Sequence, residues 1–104
     1  MKRITNYKET NYDSSLKKSV KEGIDFLLPE KEKVLSFFEK YKDEYIAVTC
    51  FATNHITGKP IGNSSILSYN DGVYCWTNEE IYLFDKYNLK LNDDFIQYVL
   101  NKVN

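Results

Sequence analysis

Few residues in this chain have types suited to chemistry: one histidine, two cysteines, a Gly-Lys pair and some adjacent carboxylates. His55 sits in the Gly- and Pro-containing stretch 53–63, with Asn54 and Thr57 as polar neighbours. General acid–base catalysis needs a positioned partner as well as a suitable pKa, and the sequence indicates none. His55 therefore reads as a surface-loop histidine. Cys50 and Cys75 lie in strand-like segments beside Ile46, Val48 and Val73, where a free thiol packs as a small hydrophobe. Their spacing fits no Cys-x-x-Cys site, so neither metal nor cofactor is expected. Thr57-Gly58-Lys59-Pro60 lacks the leading glycine of a phosphate loop, and Pro60 removes an N–H that such a loop needs. Glu79-Glu80 and Asp93-Asp94 open helices, where acids complement the positive end of the dipole. No catalytic residue is expected.

The alternative to catalysis is binding, and the stretch Ser65–Tyr87 is the place to look. It holds the only Trp and a strand, turn, strand and helix in close succession. Tyr74 and Trp76 alternate with Cys75, so they share one face of a strand. If helices cover the Cys face, the Tyr/Trp side stays open, with Asp71, Glu79 and Glu80 near its ends. These five residues are the candidate partner-binding set. The competing reading is that Trp76 fills a corner of the core, since Trp is heavily buried on average. Charge is unevenly placed. Residues 1–42 carry ten Lys/Arg against seven acids, whereas residues 43–104 carry four Lys against eight acids. An acidic second half is a solvated surface or a face for a basic partner. Lys2, Arg3, Lys8, Lys17, Lys18 and Lys21, interleaved with Tyr7 and Tyr12, are the only basis for a nucleic-acid adaptor. That patch is modest, so nucleic acid is not the expected partner.

The elements that position these groups follow from pattern. At 104 residues the chain suits one domain with a single core. Residues 1–13 are polar and read as a loose lead-in. Asp13, Ser14 or Ser15 caps a short helix over Leu16–Glu22, stopped by Gly23. Pro29 opens a helix to Lys42 with a wide stripe of Val34, Leu35, Phe37, Phe38 and Tyr41. Tyr45–Ala52 is apolar on both faces and is expected mid-sheet. Residues 53–63 read as a long hairpin loop, and Asp71-Gly72 as a type I′ turn. Thr77 or Asn78 caps the next helix, and with Thr77 as cap Glu80 completes a capping box before Ile81, Leu83, Phe84 and Tyr87, with Asn88 as the stop. Asn92 caps a last helix over Asp93–Lys102. The sum is an α+β fold: about three antiparallel strands, with N- and C-terminal helices packed on one face.

The run from Thr57 to Lys102 resembles small bacterial immunity proteins of polymorphic toxin systems. The matching residues are Thr57-Gly58-Lys59, Asp71-Gly72-Val73-Tyr74-Cys75-Trp76, Glu79-Glu80, Tyr82, Tyr87, and Leu91 with Phe95. The family often has Pro after the Trp and before the last helix, where this chain has Thr77 and Asn92. The resemblance implies a non-enzymatic protein that binds and blocks a cognate toxin, here through an acidic, aromatic face suited to a basic domain. A small enzyme using His55 with a loop carboxylate is the alternative. No signal peptide or membrane span is legible, and two cysteines without a secretory signal imply reduced thiols in the cytoplasm. The oligomeric state stays open.

Overall fold

The computed structural model describes residues 1–103. Its elements are β1 (Lys2–Arg3), a 3-10 turn (Val20–Glu22), α1 (Lys31–Lys40), β2 (Tyr45–Asn54), β3 (Lys59–Asn70), β4 (Tyr74–Thr77), α2 (Asn78–Tyr87) and α3 (Asp93–Val103). The class is α+β. Three consecutive strands pair antiparallel as expected, and β1 adds a fourth, parallel to β4, in the order β1-β4-β3-β2. No helix among the described residues is long and apolar enough to cross a membrane.

Two strand assignments change. β2 is an edge strand, not a central one, because β4 lies on the other side of β3. The expected loop over 53–63 is mostly strand. The turn occupies only His55–Gly58, closed by Gly58 N–H donating to Asn54 O at 2.7 Å. Pro60 is tolerated because β4 reaches only Ser68–Asn70 of β3, which leaves the far end of β3 unpaired on that side. Gly62 has φ +54 where the β2–β3 register shifts, an insertion that a residue with Cβ would resist.

The helices cover the Tyr74/Trp76 face of the sheet, and the Cys75 face is the barer one. Apolar area decides this. Tyr69, Tyr74 and Trp76 on one side meet Phe37, Phe38, Phe84, Phe95 and Val99, whereas the other side offers only Ser68, Cys75 and Thr77 between its few aliphatics. Trp76 is fully buried at the centre of that cluster. The lead-in is no loose tail either. Lys2 N–H donates to Val73 O at 3.0 Å, Ile4 is fully buried, and Asn92 N–H donates to Ile4 O at 2.8 Å.

Local signals fare better. Thr77 and Glu80 make the capping box, and Asn88 ends α2 at φ 54. The expected helix over Leu16–Glu22 contracts to the 3-10 turn, started by a Ser19/Glu22 capping box. The helix expected from Pro29 starts at Lys31 and ends at Lys40. Asn92 precedes α3, but its side-chain amide donates to Arg3 O at 3.3 Å, tying α3 to β1. The Asp71-Gly72 turn is not type I′, since only Gly72 has positive φ. Asp71 holds it instead, its carboxylate accepting the N–H groups of Val73 and Tyr74 at 3.0 and 2.8 Å.

A second, smaller cluster of Tyr7, Val20, Leu83 and Leu89 fastens the N-terminal segment to α2. Tyr7 donates its hydroxyl to Lys90 O at 2.7 Å, and a Cβ on Gly23 would collide with that phenol. Gly23→Ala is expected to cost about 1–3 kcal/mol, the usual penalty for overpacking. It is read as a lower urea midpoint with an unchanged slope. An unmoved midpoint would show that Tyr7 does not pack there.

Candidate functional site

The five residues singled out from the sequence do not make a surface. Trp76 and Tyr74 are core, the latter donating its hydroxyl to Asp94 at 2.9 Å. Asp71 is the turn-holder described above and also accepts from the Tyr98 hydroxyl at 2.5 Å. Burial alone would raise its pKa. The hydrogen bonds from Tyr98, Tyr74 and Val73 outweigh that and hold it below the ordinary range. Glu79 and Glu80 are both fully buried. They are adjacent acids that fasten distant segments, so the reading of Glu79 and Glu80 as steering charges is corrected.

Glu79 gathers three groups. His55 Nε2 lies 3.1 Å from Oε1, the Tyr12 hydroxyl donates at 2.8 Å, and Thr53 N–H donates to Oε2 at 2.7 Å. Desolvation pushes this carboxyl up, but the His55, Thr53 and Tyr12 bonds prevail and its pKa is lowered. Glu80 faces Arg3 at 3.4 Å and accepts from Thr5 Oγ1 at 2.5 Å and Thr77 N–H at 3.0 Å. Here burial wins over the Arg3 charge and both hydrogen bonds, with Glu79 adding repulsion, and the pKa is pushed up to about 7.

His55 is therefore not a plain surface-loop residue. It has a carboxylate partner, which the sequence could not show because the two are 24 positions apart. The dyad is the arrangement a general base uses, but Glu79 is fully engaged in holding the β2–β3 turn and Tyr12 to α2. The thiols also differ from expectation. Cys50 is exposed and Cys75 half-buried, both on the barer sheet face. Among the described residues no group of three or more His, Cys, Asp or Glu could hold a metal ion.

An open surface of the expected chemistry lies elsewhere. Between α1, α2 and β3 is a groove of about 450 Å³. Its apolar lining is Leu35 and Phe38 of α1, Ile61 and Tyr69 of β3, and Ile81 and Tyr82 of α2. Glu39 and Asp85 stand on it with Lys42, whose Nζ pairs with Glu39 at 2.5 Å. The groove exists because α1 packs chiefly on α3 while α2 lies across the strands, so the helix layer parts above β3. Tyr45, half-exposed on β2, continues it by an edge-on contact with Tyr69 at 6.1 Å. Asp43 and Glu44, both exposed, follow at that end.

The scan against family models found none for this chain, and neither the curated proteins nor the solved structures gave a match.

One sequence signal pointed to the groove. The α1 stripe of Val34, Leu35, Phe37, Phe38 and Tyr41 is wider than one packing contact consumes. Val34, Phe37 and Phe38 go to the core, while Leu35 and one side of Phe38 are left for the groove.

Proposed function

We propose that the chain is a non-enzymatic binding protein of the immunity type, which captures and neutralises a basic protein toxin. The observation that carries this reading is the uncovered groove between α1, α2 and β3. Aromatic side chains with a polar tip, Tyr45, Tyr69 and Tyr82, recur along it, and such residues dominate the anchoring positions of protein interfaces. Its volume admits apolar anchors of a partner, and Glu39, Asp85, Asp43 and Glu44 favour approach of a basic domain. The acidic, aromatic surface inferred from composition is thus retained, but moved from Tyr74 and Trp76 to this groove. Reduced thiols suit a cytoplasmic site of action.

The test is co-purification with the product of the neighbouring gene, followed by titration with Tyr82→Ala and Asp85→Lys variants. Tyr82→Ala is expected to weaken binding by about tenfold or more, roughly 1.4 kcal/mol. Asp85→Lys is expected to lower the association rate and flatten its salt dependence. A partner held equally well by both variants would refute the groove. Capture of nothing, or of a partner that is not a toxin, would refute the immunity reading.

His55 and Glu79 favour a second reading, a general-base enzyme. Their 3.1 Å contact is its support, but the groove is lined without either residue, so the geometry favours binding.

A further inference from the structure

We infer that β2 is a self-pairing edge, and that two copies of this chain join antiparallel along it into one continuous sheet. This goes beyond the partner reading and does not depend on it.

The two edges of the sheet are built differently. β1 is two residues long and both are cationic, Lys2 and Arg3, which are the usual devices that discourage strand addition. β2 is ten residues, Tyr45–Asn54, with no charge and no proline, in a chain where 28% of residues are charged. Its outer edge has no strand beside it among the described residues. Nine large apolar side chains are exposed among the described residues, and four of them, Tyr45, Ile46, Val48 and Phe51, are on this strand. Ile46 and Phe51 are each 71% exposed.

An antiparallel pair of β2 strands places a two-fold axis at mid-strand. Regular pairing with β3 runs over 45–47, and beyond it the register shifts twice, between Ala47 and Phe51 and between Phe51 and Thr53. In an antiparallel pair centred on Thr49, residues 45–47 of one copy face 51–53 of the other. Charge selects the same arrangement. Asp43 and Glu44 precede the strand, while Lys59 sits exposed at its far end, beside Asn54. Antiparallel pairing of two copies brings the acids of each to the basic end of the other. A parallel pair would stack acid on acid, which is unfavourable.

The contact is modest in size. A ten-residue strand runs ~34 Å, and specific interfaces need about 1,000 Å² in total, so the pair falls at the weak end of that class.

The experiment is sedimentation velocity and light scattering on the whole chain over a micromolar concentration series. The wild type is expected to move from the monomer mass toward twice that mass as concentration rises. Ile46→Lys, at a site already in water, is expected to stay monomeric throughout with an unchanged circular dichroism spectrum. Val73→Lys, an exposed residue away from β2, is expected to dimerise as the wild type does. A wild type that is monomeric at every concentration overturns the inference. So does a dimer indifferent to Ile46→Lys, or one abolished by Val73→Lys.

Discussion

Replacing Trp76 by alanine is expected to destabilise the domain by about 3–5 kcal/mol, the cost of emptying a buried aromatic site. Five rings surround the indole at centroid distances of 5.4 to 6.4 Å: Phe37, Phe38, Tyr41, Tyr69 and Phe95. They come from α1, the turn that follows it, β3 and α3, so the cavity would open where the elements converge and no single one could collapse into it. Domains of this size hold about 5–15 kcal/mol in all, and the melting temperature should fall by roughly 15–25 °C. Trp76→Phe is the informative control. The indole N–H is buried without a hydrogen-bond acceptor among the described residues, so removing it orphans no partner. Phe should therefore cost much less than Ala, leaving a smaller void and no polar debt. Thermal denaturation followed by circular dichroism decides. A shift of only a few degrees for the alanine variant would mean that the core is not organised around this residue.

That burial is also where reading the sequence and reading the fold part company. Period two placed Tyr74 and Trp76 on the same face, and it was right. It says nothing about which face the helices cover, because that depends on area contributed by residues far along the chain. The Thr77/Glu80 box and the Asn88 stop were legible because their partners lie within one turn of helix. The edge position of β2 was not. It follows from β1 joining beside β4, and a two-residue strand carries no pattern to read. Glu79 and Glu80 show the same limit within a pair of residues. Their place at a helix start was plain, but Arg3 lies 77 positions from Glu80 and Tyr12 lies 67 from Glu79. Those contacts turn two acids that look solvated into fasteners for the first dozen residues. The groove was half legible, as a stripe with more apolar width than one contact needs.

Glu80 makes a second large expectation, on pH. In the unfolded chain its carboxyl titrates near the ordinary 4.5, and in the fold near about 7. Between those values the folded state holds a proton that the unfolded state has released. Stability from this group is therefore complete below about pH 4.5, falls as pH rises, and is lost above about 7, a swing of about 3 kcal/mol. Glu79 and Asp71 act in the opposite sense. Their lowered pKa values stabilise the fold above the ordinary carboxylate range, and that contribution disappears as pH drops through the folded values. The three act in opposite senses, so their combined contribution falls toward neutrality on one side and into acid on the other. Glu80→Gln separates the contributions. The amide is uncharged at every pH, its carbonyl can still accept from Thr77 N–H, and Arg3, already part-exposed and bonded to Thr10 O at 2.9 Å, keeps a partner. Urea unfolding of the variant at pH 5 should match the wild type within about 1 kcal/mol, whereas at pH 8 the variant should be the more stable by about 1–3 kcal/mol. If the wild type instead gains stability from pH 5 to 8, or Glu80→Gln loses it at pH 8, then Arg3 outweighs burial and Glu80 is a charged anchor. The sign of that one difference separates a fold that tolerates a buried proton from one that depends on a buried ion pair.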